Sequence, residues 1–199
     1  KYWLDTITPS RCTHPSSFWE EFLWYRSALP GIDYETMVPV HFNDGAGLVM
    51  ARTDWGVDAT MLCFQCGPII SGHQDFAPGM WGLFKGDWQV AFAKTTSHSG
   101  IAQDPWDNNG ISIDGHGANP RGDSGSKVLW VEDKPEYLHL AASAHTAFNS
   151  EQQGWNAVEE YYRELMWLKP GADGRQFVVI AARVRFREAG HVAVWHLNT

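Results

Sequence analysis

An all-β fold, an antiparallel sandwich of about ten or more strands with one short N-terminal helix, is what this sequence predicts. Three observations carry that expectation. Short β-rich runs recur at regular spacing from about residue 36 onward, turn signals separate them, and only one segment has both the start and the stop signals of a helix.

That helix comes first. Ser17 and Glu20 form a capping box, Phe18, Phe22 and Tyr25 fall on one helical face, and Leu29 followed by Pro30-Gly31 marks the stop. From Glu35 the pattern changes. Strands are predicted at Met37 to Phe42, Leu48 to Arg52 and Ala59 to Gln65, with Asn43-Asp44-Gly45 closing a hairpin between the first two. Further runs follow at Met80 to Lys85, Trp88 to Ala93, Gly110 to Asp114, Lys127 to Glu132, Tyr137 to Ser143, Tyr161 to Leu168, Phe177 to Phe186 and His191 to Leu197. Periodicity alone leaves Val158 to Leu168 open between helix and strand, and its β-rich context favours a strand. The glycine-rich run His116 to Ser126 lacks the lysine and serine of a phosphate-binding loop, and reads as an exposed connection.

Composition narrows the function classes. At 199 residues the chain is long enough for one large core. A formal net charge of -8 argues against nucleic acid and against a polyanion held by bulk charge, so an anionic ligand would need local arginines. The 11 tryptophans suit either sugar stacking or a sandwich core. Cys12, Cys63 and Cys66 cannot all pair internally, and Cys63 and Cys66 lie in an apolar run that reads as a buried strand. No apolar run is long enough for a membrane span, and the N-terminus, KYWLDTITPS, has no hydrophobic signal region. The chain is therefore expected to begin within a longer protein or after processing.

The stretch from Ile69 to Gly117 concentrates the polar chemistry: His73, His98, several carboxylates and many glycines lie between short apolar runs. Its motifs follow a familiar order. HFNDGAGLVMARTDWGVDATMLCFQCGP, GHQDFAPGMWGLFKGDWQVAF, NNGISIDGHG, and YYRELMWLKPGADGRQFVVIAARVRF with HVAVWHLN resemble, in sequence, the C-terminal β-sandwich domain of the heparinase II/III-like polysaccharide lyases, a group that includes alginate and oligoalginate lyases. The resemblance covers about Val38 to Asn198. It implies that residues 1–31 are the tail and linker of an upstream α/α-toroid, and that 32–199 form the sandwich domain.

The same resemblance implies a β-elimination that cuts uronic-acid-containing polysaccharide, with some acid-base groups supplied by the toroid. It implies an acidic polysaccharide or oligosaccharide and the upstream toroid as partners, with no nucleic acid and no membrane, and a secreted or periplasmic location. On this chain the isolated sandwich is expected to be inactive. The family motif His-x-His-x-Asp-x-Gly-x-aromatic falls without a gap on His73 to Trp81. His73 then takes the catalytic histidine position, with Gln74 and Trp81 as substrate contacts, while Asp75 replaces a histidine that binds metal in zinc-containing members. The other metal positions fall near Phe92 and Asn108, so zinc is expected to be lost and no cofactor is expected.

Several residues keep two readings. His98 stands where the family has a tyrosine and is either a second catalytic group or a turn histidine. His73 is either functional or a satisfied structural histidine. Arg52, matching the family's arginine before Trp55, either grips a substrate carboxylate or pairs within the fold. Asp75, Asp104 and Asp107 also admit a glycosidase carboxylate pair. His14 and His116 read as exposed, His139, His145, His191 and His196 as sheet or solvent histidines, and Arg183, Arg185 and Arg187 as a solvated strand face. The alternative to a lyase is a noncatalytic carbohydrate-binding or scaffold sandwich.

Overall fold

Side chains of a strand alternate between its faces, so a run with every second residue apolar can bury one face and wet the other. The computed structural model describes residues 33–68, 77–90, 106–118, 125–150 and 155–198, and the rule is clearest at 158–168, where buried and more exposed residues alternate. The predicted helix Ser17 to Leu29 lies outside them. The chain divides into two compact units, Lys1–Pro39 and Val40–Thr199. In the first, the described residues hold a 3-10 helix, Tyr34–Thr36, capped by the Asp33 side chain, which accepts from the Glu35 N–H at 2.9 Å.

The second unit contains β1 (Val40–Asn43), β2 (Leu48–Arg52), β3 (Met61–Gln65), β4 (Met80–Lys85), β5 (Asp87–Val90), β6 (Ile111–Ile113), β7 (Lys127–Asp133), β8 (Tyr137–Ser143), β9 (Asn149–Ser150), β10 (Trp155–Asn156), β11 (Val158–Leu168), β12 (Phe177–Phe186) and β13 (Ala193–Trp195). Among the described residues all pairings are antiparallel. One sheet is a five-stranded meander, β1-β2-β3-β4-β5, and the other runs β12-β11-β8-β7; two small pairs, β13-β6 and β10-β9, complete the unit. The Asn43-Asp44-Gly45 hairpin forms as expected, pairing Asn43 with Leu48. Val158–Leu168 is a strand.

Inward residues of both large sheets share one core. Val49 of β2 and Leu62 and Phe64 of β3 cluster with Leu138 and Leu140 of β8 and Leu165 and Trp167 of β11. Each such side chain contributes about 1.5–3 kcal/mol on burial. Polar stitches cross the same layer: Trp167 Nε1 donates to Gln176 Oε1 at 3.0 Å, and Gln176 Nε2 donates to Thr60 Oγ1 at 2.8 Å. Cys63 and Cys66 are buried free thiols, and burial pushes Cys63 up to about 11, so it stays an inert core thiol at neutral pH.

One reading needs correction here. The run after His116 is not simply an exposed connection: His116 is exposed, but Ala118 and Ser126 are buried, and a Cβ on Gly125 would lie 2.6 Å from Thr146 Oγ1. The absence of a side chain at Gly125 lets the returning chain lie against Thr146. Among the described residues, no helix is long and apolar enough to cross a membrane.

Candidate functional site

Two connections carry expected site residues: the one between β3 and β4 holds His73, Gln74 and Asp75, and the one between β5 and β6 holds Phe92 and His98. Those five residues, like Asp104, lie outside the described residues. The stems of both connections are described, and they are built tightly.

The first stem leaves β3 at Cys66. Its N–H donates to Gly47 O at 2.8 Å, and its thiol to Ser143 O at 3.6 Å. The backbones here touch: a Cβ on Gly47 would sit 2.0 Å from Cys66 O, and one on Gly67 2.1 Å from Ala46 O. Only glycine allows that approach. The chain returns through Ala77-Pro78-Gly79-Met80, a turn closed by Met80 N–H to Ala77 O at 2.9 Å, with Gly79 at φ +82°. Proline before a positive-φ glycine is the chemistry of a type II turn. Gly79 N–H also donates to Gln65 O at 2.7 Å, closing the loop at its neck.

The second connection returns at Trp106 to Gly110. Here Asn109, fully buried, is a hub: its Nδ2 donates to Trp81 O at 2.7 Å, its Oδ1 accepts from Asn198 N–H at 2.6 Å, and its backbone carbonyl accepts from Arg163 Nη1 at 2.8 Å. Arg163 is 0% exposed, and its aliphatic stem passes beside Gly79, where an added Cβ would be 2.9 Å from Arg163 Cδ and 3.2 Å from the Tyr161 hydroxyl. Tyr161 in turn donates to Pro78 O at 3.0 Å. Burial pushes Tyr161 up to about 12, so its hydroxyl remains a donor at neutral pH. The return points of the His73 and His98 connections are thus clamped to each other by Asn109, Arg163 and Tyr161.

The remaining expected residues sit elsewhere. Arg52 is at the opposite end of the meander: Leu48, Gln65 and Met80 are cross-strand neighbours at the loop stems, whereas Arg52, Met61 and Phe84 line up at the far end. Four residues of strand separate the two ends, about 13 Å. Its guanidinium donates through Nε to Asp54 O at 2.5 Å and lies over the Trp55 ring at 4.4 Å. That is the pairing-within-the-fold arrangement. Trp81 corrects a second expectation, because it is 6% exposed in the core and offers no open ring face for a sugar. The solvated arginines behave as read: Arg183 pairs with Glu160 and Arg185 with Glu159.

Sequence reasoning passed over Arg163, Tyr161 and Asn109. The available signal was parity, since Tyr161, Arg163, Leu165 and Trp167 occupy one face of β11 and the arginine falls on the apolar one. As for metal, the positions implied for zinc supply Asp75, Phe92 and the buried amide of Asn108, which is one carboxylate, a ring without donors and a neutral carboxamide. This donor set does not fit zinc's demand for thiolate, imidazole and carboxylate ligands.

The architecture is an antiparallel β-sandwich. More closely, the chain has a heparinase II/III-like fold. It superposes on a mutant of the heparan sulfate lyase HepC from Pedobacter heparinus with a TM-score of 0.62 at 14% identity, over 82% of this chain and 24% of that one. The HepC structure itself gives 0.54 at 14% identity over 68% of this chain and 21% of that one, and a heparinase III structure 0.55 at 15% identity over 77% and 23%. The chain therefore spans under a quarter of the length of these proteins. No family model and no curated protein matches it.

Proposed function

We propose that this chain is the sandwich part of a polysaccharide lyase that cleaves uronic-acid-containing polysaccharide by β-elimination, together with a helical domain upstream. The observation that carries the reading is the clamp: in a heparinase II/III-like fold, the two connections bearing His73 and His98 return at one hydrogen-bonded junction. In the elimination, a base removes the C5 proton, the C–H electrons form the C4–C5 double bond, and the C4–O4 bond breaks with its electrons going to O4, which an acid protonates. Fixed donors that hold the charge building on the uronate carboxylate carry the larger part of the task, and acid-base transfer adds about two to four powers of ten. His73 serves this chemistry at the carboxylate, with His98 as a second catalytic group and Gln74 contacting substrate; the protein acts outside the cytoplasm, secreted or periplasmic.

A noncatalytic carbohydrate-binding or scaffold role is the second reading. The donor set that does not fit zinc, and the engagement of Arg52 by Asp54 and Trp55, favour it. One experiment separates the two. Full-length protein is incubated with uronate polymers, and the new unsaturated bond is followed by ultraviolet absorbance. In an active protein, His73→Ala lowers kcat by about two to four powers of ten while the Tm barely moves. Turnover unchanged by that substitution removes His73 from the mechanism, and a protein inert on every uronate polymer leaves the noncatalytic reading.

A further inference from the structure

Arg163 has no carboxylate among its partners, although its guanidinium is 0% exposed. A buried cation ordinarily persists because it is paired and fully hydrogen-bonded. Here only Nη1 is used, donating to Asn109 O, while Nε and Nη2 have no hydrogen-bond partner. Those two nitrogens form one edge of the planar guanidinium. Their N–H bonds run parallel, the fork that takes both oxygens of a carboxylate at once.

The surroundings point the same way. Trp81 Nε1 and Asn198 Nδ2 are also buried donors without an acceptor, and both residues bond to the Asn109 hub that holds Arg163. Access is short: the ring of Trp195, 5.1 Å from Arg163 Cζ, is 46% exposed and sits on β13, a three-residue strand paired with β6.

We propose that the Nε/Nη2 edge of Arg163 is a binding site for a single carboxylate group, reached by displacement of Trp195. The group comes from a small organic acid or from an acidic sugar. A lone arginine matches a monoanion in charge, and two parallel donors match two coplanar oxygens. The clamp uses Nη1 of Arg163 and the site uses its opposite edge, and the test below reads binding rather than turnover, so this site and the lyase reading can each fail without the other.

Thermal melts of the chain in sodium acetate and in sodium glucuronate, against sodium chloride of equal ionic strength, test it. Carboxylate at about ten times its Kd raises the Tm by roughly 3–6 °C, and above that the Tm climbs with the logarithm of concentration. Arg163→Lys, which keeps the charge and loses the fork, abolishes the rise; Trp195→Ala keeps it and binds faster in stopped flow. A response to both acids identifies the sugar acid as a source, and a response to acetate alone identifies a small free acid. Should Arg163→Lys not fold, the Arg163 Nε–H resonance of the unsubstituted protein is titrated with acetate and must move. No Tm rise with either acid together with a stationary resonance overturns the site, as does an undiminished rise in folded Arg163→Lys.

Discussion

The two halves of β11 use one strand for different ends. Toward its C-terminal end, Leu165 and Trp167 pack with Leu138 and Leu140 in a dry layer, and the one polar atom of Trp167 is satisfied by Gln176. Toward its N-terminal end, Tyr161 and Arg163 face the same interior yet spend their polar atoms on the backbone carbonyls of Pro78 and Asn109. The apolar half holds the two sheets together without regard to direction, whereas the polar half fixes where two long connections return. Cohesion is proportional to buried area; positioning depends on individual hydrogen bonds.

If that division is right, the largest loss of stability comes from the apolar half. Trp167→Ala should cost about 3–5 kcal/mol, the range for emptying an aromatic site in a closed core, and should be read as a shifted midpoint in denaturant. A cost below about 1 kcal/mol would show that the layer is not the main cohesive element. Gly79→Ala probes the polar half and should cost less, about 1–3 kcal/mol: its φ of +82° disfavours any Cβ, and that Cβ would meet Arg163 and Tyr161. If Gly79→Ala matched Trp167→Ala, the clamp would be as cohesive as the core and the comparison would collapse.

The sequence showed the apolar half well and the polar half poorly, for a physical reason. Alternation is local, so β12 and the β1–β2 hairpin could be read from neighbouring residues, whereas β11 stood open between helix and strand until its β-rich context was weighed. The acceptor that makes sense of Arg163 lies 54 residues earlier, and the one for Tyr161 lies 83 residues earlier. No spacing rule connects them. Arg52 shows the opposite failure: its motif with Trp55 was visible, but the antiparallel register that puts it at the far end of the meander from the His73 stems was not. Trp81 was read as a sugar platform from its place in a motif, and the packing of β4 turned it inward. His73 and His98 could be placed on connections, not in space.

The smallest expected effect lies at the outer edge of the polar half, where it sharpens the distinction by pH. His196 N–H donates to Gly110 O at 3.0 Å, and its Nε2 is 2.9 Å from Ser112 Oγ, with Trp106 edge-on at 6.3 Å. Desolvation lowers its pKa below the usual 6.5. The folded chain therefore holds this proton less tightly than the unfolded one, so the stabilising contribution is fully present above about pH 6.5 and is lost as the pH falls through the folded value. Asp114 is lowered as well, by the Val192 N–H first and His191 next, and its contribution goes only in the acid range below about pH 4. The two losses begin at different pH, near 6.5 for His196 and near 4 for Asp114. His196→Gln, whose amide stands in for Nε2 toward Ser112, should flatten the fall in Tm between about pH 7 and pH 5 and leave the acid limb intact. Melts across that range decide it: a slope unchanged in His196→Gln would mean that this histidine is not the group titrating there, and a lost acid limb would mean that its ring, rather than its charge, supports the Asp114 turn.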